Sequence, residues 1–484
     1  MDILLIDPPY MSLKGVATDC GYHIGLVSLA GYLRDAGIET GVVMTDLLVD
    51  IPSRKIWSSY NYIDYAMGQQ NYERVSKDRE NIVWKKLADY IRKAKPTAVG
   101  IAYLTPVKLS VDMTASLVKE IDKDIKVIAG SSHPTFCPEK TMQNADIDFA
   151  VRGEGEIPLV SLVKEIKKNN PKWETVPGIH YRDKQGQVRS NPSADMIANL
   201  DDLPFAARDL MLNGDYDIYR DHYMFSSRGC PYACTFCADR KLWRGNIRRR
   251  SVDSVIKELR YLNDKYKVNL VDFVDGTFTY DKKYVYDFCK ALIDNGLDIK
   301  WRCTARYDNL DEDMLKLMKQ ANCSGLYFGL ESGSNRLLKL MDKKTTVEDN
   351  IVKSQMVHDS GILSAASVLL GLPGETREEM EATLRLMKKV KTDIFDVNSF
   401  VPLPGALLYD SMSEEDRARI DWGKVAMKSF DNYVYSNASS DDFKRYLTEA
   451  YEITNKLHRK TLLRYIARMP LNYLGKVFGK ISAS

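Results

Sequence analysis

Three cysteines fall within eight residues of one another, Cys230, Cys234 and Cys237, in the run Arg228-Gly229-Cys230-Pro231-Tyr232-Ala233-Cys234-Thr235-Phe236-Cys237. The spacing, C-x3-C-x2-C, lets one tight loop offer thiolates to three irons of a [4Fe–4S] cluster, with the fourth iron left open. An open iron can take a small chelating ligand. Structural zinc needs four ligands, and no fourth cysteine or histidine closes this loop. His222 is near in sequence but lies on the far side of the strand that leads in. The other five cysteines, Cys20, Cys137, Cys289, Cys303 and Cys323, show no ligand spacing and read as small buried hydrophobes.

The loop resembles the signature of the radical S-adenosylmethionine (SAM) superfamily. That resemblance implies that the open iron chelates the amino and carboxylate groups of SAM, and that Phe236 packs near adenine. Further stretches extend it over residues 220–410. Val274-Asp275-Gly276-Thr277 ends an expected strand, where the family holds the SAM amino nitrogen, which puts Asp275 and Gly276 at that group. Gly329-Leu330-Glu331-Ser332-Gly333 ends another, which places Glu331 and Ser332 by the ribose and methionine parts. Gly371-Leu372-Pro373-Gly374-Glu375-Thr376 supplies Gly371, and Val401-Pro402-Leu403-Pro404-Gly405 supplies Pro402, where backbone meets adenine. Taken singly, each is an ordinary strand-to-helix turn. Their order and spacing after the cysteines give them weight.

A dense basic stretch surrounds the loop: Arg228, Arg240, Lys241, Arg244, Arg248, Arg249 and Arg250. It reads as a solvated face, as compensation for an anionic cluster and the SAM carboxylate, or as a docking patch for an acidic electron donor such as flavodoxin or ferredoxin.

Residues 1–165 resemble the cobalamin-binding half of the B12-dependent radical SAM subclass, through Gly25-Leu26-Val27-Ser28-Leu29-Ala30, Gly130-Ser131-Ser132-His133-Pro134-Thr135 and Arg152-Gly153-Glu154-Gly155-Glu156. The resemblance implies a corrin over the C-terminal sheet edge, with its nucleotide tail beside Gly130, Ser131 and Ser132, where small residues permit close approach. Thr105 matches a position that offers the tail a hydroxyl, and His133, Gly153 and Glu154 complete the expected contacts. One departure stands out. Many cobalamin proteins carry D-x-H-x-x-G after the first strand, whereas Asp7-Pro8-Pro9-Tyr10-Met11-Ser12-Leu13-Lys14-Gly15 has no histidine. His23 and His133 are the alternative cobalt ligands, and Cys20 or Cys137 is an alternative corrin neighbour.

These residues need a scaffold. Apolar runs at Asp2–Asp7, Val42–Leu47, Ala98–Leu104, Ile125–Ala129 and Phe149–Arg152 alternate with helical patterns around Leu26–Leu33, Trp84–Lys93, Val111–Glu120 and Pro158–Lys168. That alternation predicts an α/β fold with a doubly wound, Rossmann-like sheet whose ligands sit beyond the carboxyl ends of its strands. The polar, tyrosine-rich segment Ile51–Arg79 is expected to cover part of that face. A second series, Tyr223–Ser226, Leu270–Val274, Lys300–Thr304, Gly325–Phe328, Ser364–Leu370 and Ile394–Val401, predicts a partial (β/α)6 radical SAM barrel. Helices are expected between them at Val252–Lys265, Lys282–Asn295 and Thr376–Lys389. The expected domains are 1–170 for cobalamin, 171–205 as a linker with a hairpin, 206–410 for the barrel and 411–484 as a helical C-terminal region.

The 484 residues carry a net charge of only +3, with 28% charged and 44% hydrophobic residues. This is an ordinary globular composition with no global pull toward nucleic acid. No apolar run is long enough to span a bilayer and no secretion signal opens the sequence, so a reducing cytoplasm is the expected location. After Glu452 the chain is basic and amphipathic, with Lys456, Arg459, Lys460, Arg464, Arg468, Lys476 and Lys480 among apolar residues and a break at Pro470. It reads as a terminal helix on the barrel or as peripheral membrane contact, the latter hinting at a lipid or tetrapyrrole substrate. The resemblances together imply a methyltransferase that acts at an unactivated carbon of a small molecule, through a 5′-deoxyadenosyl radical and methylcobalamin. The rivals are a non-methylating cyclase or ring-rearranging enzyme, with the anaerobic magnesium-protoporphyrin monomethyl ester cyclases as one such group, and a corrinoid sensor with an inactive barrel. An intact cysteine triad argues against the sensor.

Overall fold

The computed structural model describes residues 1–14, 23–49, 62–213, 222–424 and 426–467. Two parallel sheets carry the chain. The first holds β1 (Ile3–Asp7), β2 (Thr40–Met44), β3 (Ala98–Ala102), β4 (Lys126–Gly130) and β5 (Phe149–Val151) as parallel strands in the order β2-β1-β3-β4-β5. Its strands are short, nearly continuous apolar runs because helices cover both faces. Ile3 and Leu5 point into one core with Leu26, Leu33 and Leu162, while Leu4 and Ile6 point into the other with Trp84, Leu87 and Val111. Period-two alternation thus serves two cores at once.

The hairpin of the connector joins this sheet. Strand β6 (Ile179–Arg182) pairs antiparallel with β5, and β7 (Val188–Ser190) pairs with β6 at the edge. Just past the connector, Arg208, fully buried, donates to Glu258 at 3.2 Å and to the Tyr223 carbonyl at 2.7 Å.

The second sheet comprises β8 (His222–Met224), β11 (Leu270–Phe273), β12 (Lys300–Ala305), β13 (Cys323–Glu331), β14 (Leu363–Leu370) and β15 (Ile394–Ser399). All are parallel and follow chain order. No pairing closes β15 onto β8 among the described residues, so this is the open six-stranded barrel that the sequence predicts. Between β8 and β11 lies a small antiparallel ribbon, β9 (Ser227–Arg228) with β10 (Arg248–Arg249). Helices Val252–Tyr266, Lys282–Asp294 and Arg377–Lys389 occupy the expected positions. Trp301, Phe273, Phe288 and Phe328 pack the core between strands and helices. The C-terminal helix Ser440–Ala467 packs Phe443, Leu447 and Tyr451 against it.

Helix Tyr62–Val75 brings Tyr72 fully into the core that holds Trp84 and Leu87, and the Gln69 side chain donates to the Gly423 carbonyl at 3.2 Å. Residues 50–61, Cys20 and the basic tail beyond 467, with Pro470, lie outside the described residues. No described helix is long and apolar enough to cross a membrane.

Candidate functional site

The cysteine loop is held from several sides. Asp275, at the end of β11, accepts from the Ser226 and Ser227 backbone amides and from both hydroxyls, the two Oγ contacts being 3.0 and 2.7 Å. Asp275 is buried and is not on a cavity wall, so its carboxylate anchors the run into the loop; it does not face a ligand. Burial raises its pKa, and these donors and the Arg249 charge pull it back. Downstream, the Thr235 amide donates to the Met341 carbonyl at 3.1 Å and the Leu408 amide donates to the Thr235 carbonyl at 2.8 Å. Tyr232 donates to Asn309 at 2.8 Å, with the Arg306 guanidinium 3.8 Å above its ring.

All three cysteines line one cavity of about 250 Å³ inside the barrel mouth, together with Phe236, Gly276, Thr277, Glu331 and Lys343. Cys230 Sγ sits 3.5 Å from Thr277 Oγ1. Burial pushes the Cys234 thiol up, while the Lys343 and Arg306 charges oppose the shift. Glu331 takes a left-handed backbone (φ +66°) where the β13–β14 register slips, and its carboxylate meets Lys343 Nζ at 3.1 Å. Lys343 also lies 6.0 Å over the Phe236 ring. Three thiols, a buried ion pair and an aromatic face in one concavity suit a cluster with a zwitterionic adenosyl ligand. Ser332, Gly371 and Pro402 are not on this wall. Ser332 is buried beside the Thr383 hydroxyl, and Gly371, at φ +87°, packs against Phe443. These two shape the turns behind the cavity.

A second cleft, about 380 Å³, lies where the carboxyl ends of β1, β3, β4 and β5 face the barrel. Gly130, Ser131, Ser132, Gly153 and Glu154 line it, as expected, and so do His23, Gly25 and Trp243. A Cβ on Gly130 would meet nothing within 4 Å, so the absent side chain leaves open volume. Ser131 sits at φ +93°, a strained conformation of the kind that clusters at ligand sites. An apolar, small-residue groove along a sheet edge fits a cobalamin and its tail. Thr105 and His133 stand one layer behind it. Thr105 Oγ1 and His133 Nδ1 are 3.0 Å apart, His133 stacks on Tyr103 at 4.3 Å, and burial pushes its imidazole down to about 4. Of the two candidate histidines, only His23 reaches the cleft wall. Cys137 is buried and does not line it.

The basic stretch divides. Arg240, Lys241 and Arg244 are exposed. Arg228 and Arg248–Arg250 are largely buried and paired, which corrects the reading of those four as a solvated face or a docking patch. Arg228 joins Glu154 and, at 2.6 Å, Glu156. Arg248 meets Glu154 at 2.8 Å and Arg250 meets Glu258 at 2.5 Å. Arg249 lies 4.3 and 4.1 Å over the Tyr280 and Tyr284 rings. The Glu154 carboxylate is therefore taken up by arginines, although the residue borders the cleft. Burial alone would raise its pKa, but Arg248 and Arg228 hold it below the usual range. Lys343, Trp243 and Tyr327 were not legible as site residues. Each arrives from a segment without a motif, and only the fold brings it in.

Two family models match the chain: "B12 binding domain" over residues 12–163 and "Radical SAM superfamily" over residues 224–387. An uncharacterized methyltransferase of Pyrococcus horikoshii is 31% identical over 476 residues, covering 96% of this chain and 95% of that protein. An anaerobic magnesium-protoporphyrin IX monomethyl ester cyclase of Rubrivivax gelatinosus is 27% identical over 90% of this chain and 72% of its own length. Among solved structures, the methyltransferase TsrM of Kitasatospora setae, with cobalamin and a [4Fe–4S] cluster bound, superposes with a TM-score of 0.62 at 18% identity, over 85% of this chain and 78% of that one. OxsB with aqua-cobalamin and SAM bound gives 0.62 at 19%, over 93% and 61%. At these identities the two structures share the fold.

Proposed function

This chain belongs to the cobalamin-dependent branch of the radical SAM superfamily, an enzyme family that uses a [4Fe–4S] cluster, SAM and cobalamin, and on that premise we propose that it methylates an unactivated carbon of a small molecule. The observation that carries the reading is the meeting of the two cavities. Gly276 and Asp239 line both, so a molecule in the barrel mouth can face both cofactor sites. Bound there, the cluster with SAM supplies a carbon radical and cobalamin supplies a methyl group.

The residues hold and orient. Cys230, Cys234 and Cys237 ligate the cluster, Glu331 with Lys343 addresses the charged end of SAM, and Phe236 offers its ring to adenine. Gly276 leaves space at the junction: a Cβ there would lie 2.6 Å from Asp239 Oδ2 and 3.1 Å from the Cys230 Cβ. The Gly130–Ser132 turn admits the cobalamin tail. Tyr327, Ser367 and Asn398 face the same cavity from the barrel wall and are left for the substrate. The exposed Arg240, Lys241 and Arg244 are the remaining basic face for an acidic electron donor.

The cyclase relatives support a second, non-methylating reading, and one experiment separates the two. The full chain is reconstituted without oxygen with iron, sulfide and cobalamin, and given reductant, methyl-labelled SAM and a small-molecule extract of its source cells. Label in a new carbon-bound methyl group, with 5′-deoxyadenosine and S-adenosylhomocysteine, supports methylation. 5′-Deoxyadenosine without methyl label in any extract component favours the second reading, and failure to cleave SAM defeats both.

A further inference from the structure

The turn that borders the cobalamin cleft also grips the residue that leads into the cluster loop. Glu154 and Glu156 follow β5, and their carboxylates hold Arg228 from one side. Arg228 stands two residues before Cys230. All the groups involved are withdrawn from water: Glu154 and Glu156 are 4% and 3% exposed, Arg228 10% and Arg248 11%. Arg248 pairs with Arg228 across the β9–β10 ribbon, and both guanidiniums bind Glu154. The Trp243 indole lies 5.8 Å from Arg228 and 5.6 Å from Arg248, and the same ring lines the cleft.

Between Arg228 and Cys230 there is no slack. Gly229 turns at φ +98°, and a Cβ on it would fall 2.1 Å from the Asn246 carbonyl oxygen. The backbone is therefore pressed against Asn246 and Ile247, which lead into β10, so a displacement of the Arg228 side chain carries into the first cluster cysteine. From the other domain, Gly153 and Gly155 flank Glu154 on the cleft wall. A molecule that fills the cleft fixes the very turn that supplies the carboxylates.

We infer that Arg228 is a positioning residue that couples the two cofactor sites: Glu154 and Glu156 of the cobalamin domain set the cluster loop through it, and an assembled cluster in turn firms the cleft wall. Such coupling is reciprocal by linkage. Order in one site lowers the cost of ordering the other. The inference does not depend on methyl transfer, since it concerns binding alone.

The test measures hydroxocobalamin affinity by absorbance titration of the full chain, with and without the reconstituted cluster. The wild-type protein is expected to bind about fivefold tighter or more when the cluster is present. Glu154→Gln and Arg228→Lys bring that ratio to one, while Lys283→Gln, on the exposed Asp287 pair, keeps it. A role in holding the domains together without coupling would lower thermal stability in the first two variants and leave the ratio unchanged. That result, or a ratio of one in the wild type, overturns the inference. If neither variant folds, hydrogen exchange on the cluster-free wild type decides: hydroxocobalamin slows exchange across residues 227–238, and unchanged exchange there overturns the inference equally.

Discussion

Glu331 shows how a single backbone angle sets a buried ion pair. Its left-handed conformation sits on a register slip and turns the carboxylate onto Lys343, where both side chains are under 9% exposed. Removing one partner strands the other charge, at a cost of about 3–5 kcal/mol. Lys343→Met is therefore expected to unfold at a clearly lower temperature and to lose SAM binding, read by thermal melting and SAM titration. The cysteines carry chemistry and little packing energy. Cys234→Ser should fold, show no [4Fe–4S] absorbance after reconstitution, and release no 5′-deoxyadenosine. His133 gives a pH signature. Its imidazole is held down to about 4 by burial, whereas the unfolded chain takes a proton near 6.5. The unfolded state therefore binds more protons in that window, and stability falls as pH drops from about 6.5 to about 4, by on the order of 3 kcal/mol. His133→Gln should flatten that part of a melting-temperature profile and leave the region above pH 7 unaltered in slope.

At the scale of elements, the contacts between strand ends and helix starts decide how much the site tolerates. Gly333 follows β13 so closely against helix Arg377–Lys389 that a Cβ would lie 2.3 Å from the Ala382 carbonyl oxygen. Gly333→Ala must push strand end and helix apart, for about 1–3 kcal/mol. Because Glu331 is two residues away, SAM affinity should fall along with melting temperature. Ser251 caps helix Val252–Tyr266 by accepting from the Ser254 amide at 3.1 Å, on the outer side of the barrel. Ser251→Ala should cost about 0.5–2 kcal/mol and leave cluster content unaffected. The pair separates loss of stability from loss of function.

Across the whole molecule, two sheets built on separate cores are joined by buried ion pairs. Arg228 binds Glu154 and Glu156, and Arg248 binds Glu154. Such buried ion pairs add little net stability over apolar packing but penalise every arrangement that breaks them. They favour one geometry between the domains. A ligand that binds the native protein and not the unfolded chain stabilises it, so free cobalamin at a hundred times its dissociation constant should stabilise the protein by about 2.7 kcal/mol. Differential scanning calorimetry without oxygen would read this as a concentration-dependent rise in melting temperature.

The amino-acid sequence by itself determined the order of strands and helices and the two cofactor classes, because these rest on local facts. Three thiols in one loop need no distant partner to be recognised, and hydrophobic period reports strand or helix within a few residues. The tertiary structure decided the tasks of charged side chains. Asp275 stands where a ligand contact is expected yet spends its carboxylate on the Ser226–Ser227 backbone, and Glu154 borders the cleft while answering to Arg228 and Arg248. Lys343 entered the cavity lined by the three cysteines from a turn with no motif. A charge settles wherever burial and an opposite charge coincide. That coincidence joins residues 74 and 94 positions apart in the chain, and only the folded arrangement of both domains brings them within reach.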